Sequence, residues 1–268
     1  MKIAYVGIDL LSGALKYLLR TDNQIMKIFT CKTDNFTEFN TGIIDFAKEN
    51  GIPCTLNRIT LEDVENLVLG GCKLIVCAGY YHKLPVSRRV MTVNIHPSLL
   101  PEGRGPWPMP YDILNDNKIG GVTLHKVSTE FDEGDIILQR SFAIEDDENL
   151  ETLMQKVNNE LPDMLKEFLN SPEELYNNAM PQGEGTYLKM PGKEEYTVTE
   201  DTNFEQADRI LRAFYGYECY FRKNGQKEVC LIKARAKKDL SDVKEDEFYF
   251  DLPDGYVICK KKNVYYDK

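Results

Sequence analysis

Along the first half of the chain, short apolar runs alternate with stretches whose apolar residues recur at helical spacing. Lys2–Gly7 reads as a buried strand, and residues 11–19 carry apolar side chains every three or four positions. Residues 25–29 predict a second strand. A helix starting near Asn35 would then carry Phe39, Ile43, Ile44 and Phe46. Residues 54–59 predict a third short strand, with Thr60 as the N-cap of a helix over Leu61–Leu69. Leu74–Ala78 and residues 90–95 predict strands four and five. Strands separated by helical patterns of about 10–15 residues form βαβ units, hence a mostly parallel sheet with right-handed crossovers. The pattern is that of an open α/β sheet. Such sheets bind ligands at the carboxyl ends of their strands, near the point where strand order reverses.

Between Gly120 and Ala143 two apolar runs, 122–127 and 136–142, are joined by a polar stretch, as in a hairpin or a pair of sheet strands. The acidic run 145–148 then precedes Leu150, Leu153, Val157, Leu161, Leu165 and Leu169, which predict a long helix. Acidic side chains there would meet the positive amino end of that helix. Residues 171–185, with Pro172, Pro181, Gly183 and Gly185, read as a linker, dividing the chain into a domain over 1–185 and a smaller one over 186–268. In the smaller domain residues 203–214 predict a helix. Short Tyr-, Val- and Ile-rich strands follow, punctuated by Lys223-Asn224-Gly225 and Pro253-Asp254-Gly255. A small, mainly β domain with one helix is expected.

Composition narrows the function classes. With 268 residues, 42% hydrophobic and 28% charged, the chain is ordinary for a folded protein of one large or two modest domains. Its apolar runs fall far short of the ~20 residues that span a bilayer. The amino terminus goes straight into a strand with no leader, so a cytoplasmic protein with no membrane contact is expected. Seven cysteines, odd in number and with no C-x-x-C pair, predict reduced thiols rather than disulfides or a zinc site. The net charge of −10 resides in residues 1–185, with 17 basic against 27 acidic residues, while 186–268 hold 16 of each. Long nucleic acids need a basic surface, so no nucleic-acid partner is expected. Lys260-Lys261-Lys262 is the one local exception, and three lysines at a strand end also make a solvated edge that discourages aggregation.

The turn after the first strand, Gly7-Ile8-Asp9-Leu10-Leu11-Ser12-Gly13, lacks the G-x-G-x-x-G spacing of dinucleotide sites, and no P-loop occurs anywhere. The unusual stretch is Val93-Asn94-Ile95-His96-Pro97-Ser98-Leu99-Leu100-Pro101-Glu102-Gly103-Arg104-Gly105-Pro106. Strand periodicity turns Asn94 and His96 to one face, at the carboxyl edge where prolines and glycines end the strand. An amide donor can stabilise a developing oxyanion, and an imidazole can move a proton near neutral pH. The same pair could instead tie down a loop.

Together with residues 121–137, which run Gly-Val-Thr-Leu-His-Lys-Val-Ser-Thr-Glu-Phe-Asp-Glu-Gly-Asp-Ile-Ile, this stretch resembles the folate-dependent formyltransferase family. That family includes glycinamide ribonucleotide, methionyl-tRNA and sugar-nucleotide N-formyltransferases. The resemblance is most specific over about residues 75–140 and extends over 1–185. Thr186-Tyr187 and residues 210–214 are similar to the start of the small carboxyl-terminal domain of the tRNA and sugar branches. The resemblance implies a Rossmann-like formyltransferase fold, N10-formyltetrahydrofolate as donor and a primary amine as acceptor; the lack of clustered ligand residues predicts no metal. It implies catalytic roles for Asn94, His96 and Asp132: Asn94 and protonated His96 hold the oxyanion, and Asp132 orients the imidazole and assists proton transfer to the departing folate nitrogen. Which of His96 and Asp132 takes the proton first stays open.

The resemblance also implies a pterin pocket edged by Tyr80, Tyr81, His82, Lys83 and Leu84 on one loop, and by Phe131 and Asp132 on another. Arg104 and Gly105 match the family's Arg-Gly pair, which either anchors its loop or meets a substrate phosphate. Trp107 either stacks on substrate or packs beneath its prolines. His125 is expected to line the pocket or support it. Among the branches, the purine enzyme is a single domain, against the extension over 186–268. The tRNA enzyme carries a basic insertion after the second strand, where residues 30–38 here are short and not basic. The expected acceptor is therefore a nucleotide-linked amino-dideoxy sugar destined for surface polysaccharide, lipopolysaccharide or flagellar glycan. A methionyl-tRNA enzyme and a non-catalytic folate- or glycan-binding relative are the alternatives. The Tyr-rich small domain is expected to form a homodimer.

Overall fold

The computed structural model describes residues 1–224 and 226–266; Gly225, the end of one predicted turn, lies outside them. The chain forms two compact units. The first comprises Met1–Pro108, Ile119–Phe142 and Met154–Leu188, and the second Met109–Lys118, Ala143–Leu153 and Lys189–Lys268. Sequence patterning predicts one cut, at residue 185; the units are instead discontinuous along the chain.

In the first unit the elements run β1 (Lys2–Gly7), α1 (Ser12–Leu18), β2 (Gln24–Phe29), α2 (Thr41–Glu49), β3 (Cys54–Thr55), α3 (Leu61–Leu69), β4 (Leu74–Ala78) and β5 (Met91–His96). After α4 (Met109–Leu114), which belongs to the second unit, come β6 (Ile119–Lys126) and β7 (Ile136–Ala143). The long helix α5 (Leu150–Asn170) and the short α6 (Pro172–Asn177) follow. Seven strands form one sheet in the order β3-β2-β1-β4-β5-β6-β7. The first five are parallel, and β6 runs antiparallel to β5. This is the open, mostly parallel α/β sheet that the pattern predicts. Because β1 pairs with β2 on one side and β4 on the other, strand order reverses there. The loops beyond β1 and β4 meet where the Ile8 amide donates to the Gly79 carbonyl at 3.0 Å.

Both faces of the central strands are buried, so they read as continuous apolar runs rather than alternating ones. On one face Ala4, Val6, Phe29 and Ile75 pack with Val64 and Leu67 of α3. That helix begins as expected: the Thr60 hydroxyl accepts the Asp63 amide and the Asp63 carboxylate accepts the Thr60 amide, each at 3.1 Å.

Three local expectations differ from what is seen. The helix predicted from Asn35 begins at Thr41, because the Asp34 carboxylate accepts the amides of Phe36, Thr37 and Glu38 and closes a separate turn. The first strong anchor of α2 comes from outside it: the Asp9 carboxylate accepts the Gly42 and Ile43 amides, both at 2.9 Å. The third strand keeps only Cys54–Thr55 at the sheet edge. At α5 the amides of Glu151 and Thr152 are taken by the Asn149 side chain rather than by the acidic run before it.

The predicted linker is tied down. It holds α6, and Met180 exchanges two backbone hydrogen bonds of 2.8 Å with Ile136. In the second unit, β8 (Thr197–Thr199), α7 (Phe204–Ala213), β9 (Glu218–Arg222), β10 (Val229–Ile232), β11 (Arg235–Lys237), β12 (Glu247–Leu252), β13 (Gly255–Lys260) and β14 (Val264–Tyr266) build two small sheets, ordered β14-β10-β9-β8 and β11-β13-β12. Helix α7 is capped by Asn203, and the Pro253-Asp254 turn joins β12 to β13. All seven cysteines are free thiols. No helix among the described residues is long and apolar enough to cross a membrane.

Candidate active site

Strand β5 delivers Asn94 and His96 at its carboxyl end, and its register on β6 sets Asn94 opposite His125. The third group, Asp132, comes from the loop between β6 and β7 and has φ +57°, in the left-handed region that few non-glycine residues occupy. Its carboxylate is the hub. Oδ1 lies 3.3 Å from Asn94 Nδ2, 3.5 Å from His96 Nδ1 and 3.6 Å from His125 Nε2. Oδ2 accepts the Gly105 amide at 3.0 Å. The structure therefore brings all three sequence-predicted catalytic residues together.

Carbonyl oxygens only accept hydrogen bonds, and this assigns the imidazole protons. His96 donates Nε2–H to the Gly103 carbonyl at 2.8 Å, leaving the Nδ1 lone pair toward Asp132. His125 donates Nδ1–H to the Lys126 carbonyl at 2.8 Å, so its Nε2 accepts from the Asn94 amide at 3.0 Å. His125 thus orients Asn94, a specific form of the supporting role expected for it. Burial pushes His96 below the ordinary imidazole range, against the opposing pull of Asp132 and the Gly103 carbonyl. The resting ring is neutral near pH 7. Burial by itself would raise the Asp132 carboxyl, but the His125 and His96 rings, once they carry a second proton, and the Gly105 amide outweigh it and hold the group below the usual range.

The loop beyond β5 is pinned from beneath. Buried Thr123 donates its hydroxyl to the Ser98 carbonyl at 2.6 Å and accepts the Leu100 amide at 3.1 Å and Gln139 Nε2 at 3.0 Å. At Gly105, φ is +113°, and a Cβ would stand 2.1 Å from the Leu188 carbonyl oxygen, so only glycine fits where this amide meets Asp132.

The residues expected around the cofactor divide. Tyr80 and Leu84 lean partly on the core, and the Tyr80 hydroxyl accepts the Ile59 amide at 3.3 Å. Tyr81 is exposed and donates to Glu38, while exposed His82 sets its ring edge-on to Tyr80. Lys83 Nζ lies 3.4 Å from Glu130 and 5.4 Å from the centroid of exposed Phe131. The two loops expected to border the pterin thus meet one another, and Asp132 lies one residue beyond Phe131.

Of the residues expected at the substrate, Trp107 is half-buried between Pro106 and Pro108. Arg104 donates from Nε and Nη2 to Gln182 Oε1, at 3.1 and 2.9 Å, and from Nη2 to the Gly183 carbonyl at 2.9 Å, which favours the loop-anchoring alternative. Gln182 itself, inside the stretch read as a linker, carries no periodicity or motif that marks it. Its contacts are visible only once the chain folds. Among the described residues, no group of three or more His, Cys, Asp or Glu side chains could hold a metal ion.

Known proteins resemble this chain both in sequence and in fold. Residues 47–169, a little under half of the chain, match the formyl transferase family. The chain is 38% identical over 169 residues to a methionyl-tRNA formyltransferase of Ehrlichia ruminantium, covering 61% of this chain and 54% of that protein. The chain thus spans about half the length of that relative. A methionyl-tRNA formyltransferase of Anaplasma marginale is 26% identical over 276 residues, covering 97% of this chain and 90% of that one. Solved structures share the fold. HypX from Aquifex aeolicus in complex with tetrahydrofolic acid superposes with a TM-score of 0.75 at 21% identity, covering 97% of this chain and 43% of that one. A sugar N-formyltransferase from Shewanella sp FDAARGOS_354 does so with a TM-score of 0.67 at 20% identity, covering 87% and 96%.

Proposed function

We propose that the protein transfers a formyl group from N10-formyltetrahydrofolate to the primary amine of a nucleotide-linked amino-dideoxy sugar. The convergence of Asn94, His96 and Asp132 at the strand ends carries the chemistry. The amine forms a new C–N bond to the formyl carbon, and the Asn94 amide donates to the resulting oxyanion. Neutral His96 takes the amine proton at Nδ1, and Asp132 stabilises the imidazolium so formed. The bond to folate N10 then breaks, and the proton passes to that nitrogen. The neighbouring loops 79–85 and 128–132, with exposed Tyr81 and Phe131 as apolar surface, support a flat aromatic donor beside this cluster.

For the acceptor, the supporting observation is charge. Residues 1–185 carry 17 basic against 27 acidic residues, and the segment after β2 closes on the Asp34 turn without a basic insertion. A tRNA enzyme must neutralise several phosphates, which this surface opposes. Methionyl-tRNA stays as the second reading because curated relatives bear that name. Free thiols throughout suit a reducing compartment, so we place the reaction in the cytoplasm.

The test is formyl transfer to TDP-, UDP- and GDP-linked amino sugars and to methionyl-tRNA, each at low and moderate salt. Turnover on an amino-sugar nucleotide with shallow salt dependence is expected. Turnover on methionyl-tRNA alone, falling steeply with salt, overturns the acceptor. Folate binding without transfer to any amine overturns the activity in favour of a non-catalytic binding protein. A homodimer formed through the second unit belongs to the same reading; exposed Phe248, Tyr249 and Tyr265 support it. Light scattering at micromolar concentration checks it, and a monomeric mass overturns it.

A further inference from the structure

Asp132 is gripped at both ends by one closed circuit. At its backbone, Gln182 Nε2 donates to the Asp132 carbonyl at 2.8 Å and to the Gly134 carbonyl at 2.7 Å. At its carboxylate, Oδ2 accepts the Gly105 amide. The two ends are joined through Arg104, the residue before Gly105, whose guanidinium donates from Nε and Nη2 to Gln182 Oε1. A side-chain amide has two N–H donors and two lone pairs, and at Gln182 all four have partners. Its orientation is therefore unique. The turn it holds includes a non-glycine residue at φ +57°, a conformation that persists only where its surroundings determine it.

We propose that Gln182 is a positioning residue for Asp132: it fixes the turn 132–134 and, through Arg104, the Gly105 amide, so that the carboxylate stays aimed at Asn94 and His96. The inference rests on the reading of the site as catalytic, and it gives the stretch after α6 a role in the chemistry. Glutamate in its place would keep an acceptor for Arg104 but offer no donor to the two carbonyls. Methionine would keep the length and lose every hydrogen bond.

Two measurements test it, one of them independent of turnover. In kinetics with whichever acceptor the wild type uses, Gln182→Met lowers kcat by about 10-fold or more and leaves both KM values within about twofold. In an Asp132→Asn background the same substitution changes kcat by less than about twofold, because the group it positions is already gone. In NMR, the chain has three histidines, so their titrations can be followed singly. Gln182→Met moves the His96 midpoint down by about 0.5 pH or more, since the Asp132 carboxylate holds it up, and does not move it in the Asp132→Asn background. If the methionine variant does not fold, Gln182→Glu in the same kinetic cycle replaces it. An unchanged His96 titration with undiminished kcat overturns the proposal, as does a loss equally large with and without the Asp132 carboxylate. Failure of the wild type to turn over any amine overturns the proposed activity instead, and the His96 titration still decides the role of Gln182.

Discussion

His96 sits between two oxygens that act on different nitrogens. The Gly103 carbonyl takes the proton of Nε2, while the Asp132 carboxylate faces Nδ1 and favours a second proton there. Burial outweighs that pull, so the ring rests neutral and is able to accept a proton. Asn94→Ala, His96→Asn and Asp132→Asn are each expected to fold and to lose about 10²-fold or more in turnover, the scale of an oxyanion donor or a positioned acid–base group. Near-normal turnover by any of the three, with its fold verified by circular dichroism, removes that residue from the mechanism. Asn94 and His96 are legible in the sequence because an i, i+2 pair on a strand shares a face. Asp132 is legible only through the family resemblance, since its loop carries no periodicity. His125 and Gln182 act across separations of 31 and 50 residues, which local patterning does not encode.

At the scale of elements, the sequence is most legible where burial on both faces leaves one option. Strand β4 is apolar at all five positions and is found over the predicted residues, Leu74–Ala78. It is least legible where side chains compete for backbone amides. Apolar spacing through Phe39, Ile43 and Phe46 predicts a helix from Asn35, but Asp34 captures three amides first, and Phe39 is left 43% exposed. Helix α3 shows the reverse, with local and tertiary signals in agreement. Thr60 and Asp63 satisfy one another's amides while Val64 and Leu67 face the core. Thr60→Ala is expected to cost about 1 kcal/mol of stability, the usual worth of an N-cap, with turnover unchanged. Denaturant unfolding measures the first and the transfer assay the second; an unaltered midpoint means that core packing alone sets the start of α3.

At the scale of the whole molecule, discontinuous units are invisible to a reading that cuts the chain at one Pro- and Gly-rich stretch, because residues 109–118 and 143–153 join the second unit through contacts distant in sequence, which local composition does not encode. What does transfer from single groups to the whole is the pH dependence of stability. His96 and Asp132 both have folded pKa values below their ordinary ones. A group depressed in this way binds its proton more readily when unfolded, so its contribution is complete above the unfolded pKa and is lost as pH falls toward the folded one. For His96 the loss starts near the ordinary imidazole value of about 6.5, and for Asp132 only below about 4. Between pH ~7 and ~5.5, then, His96 is the member of the pair that destabilises the fold on acidification. Thermal unfolding of the wild type is expected to shift to lower temperature across that window, and His96→Asn, which cannot take up the proton, to flatten the slope. A variant that loses Tm as steeply as the wild type would place the acid sensitivity elsewhere and show that the His96 ring admits a proton without cost to the fold.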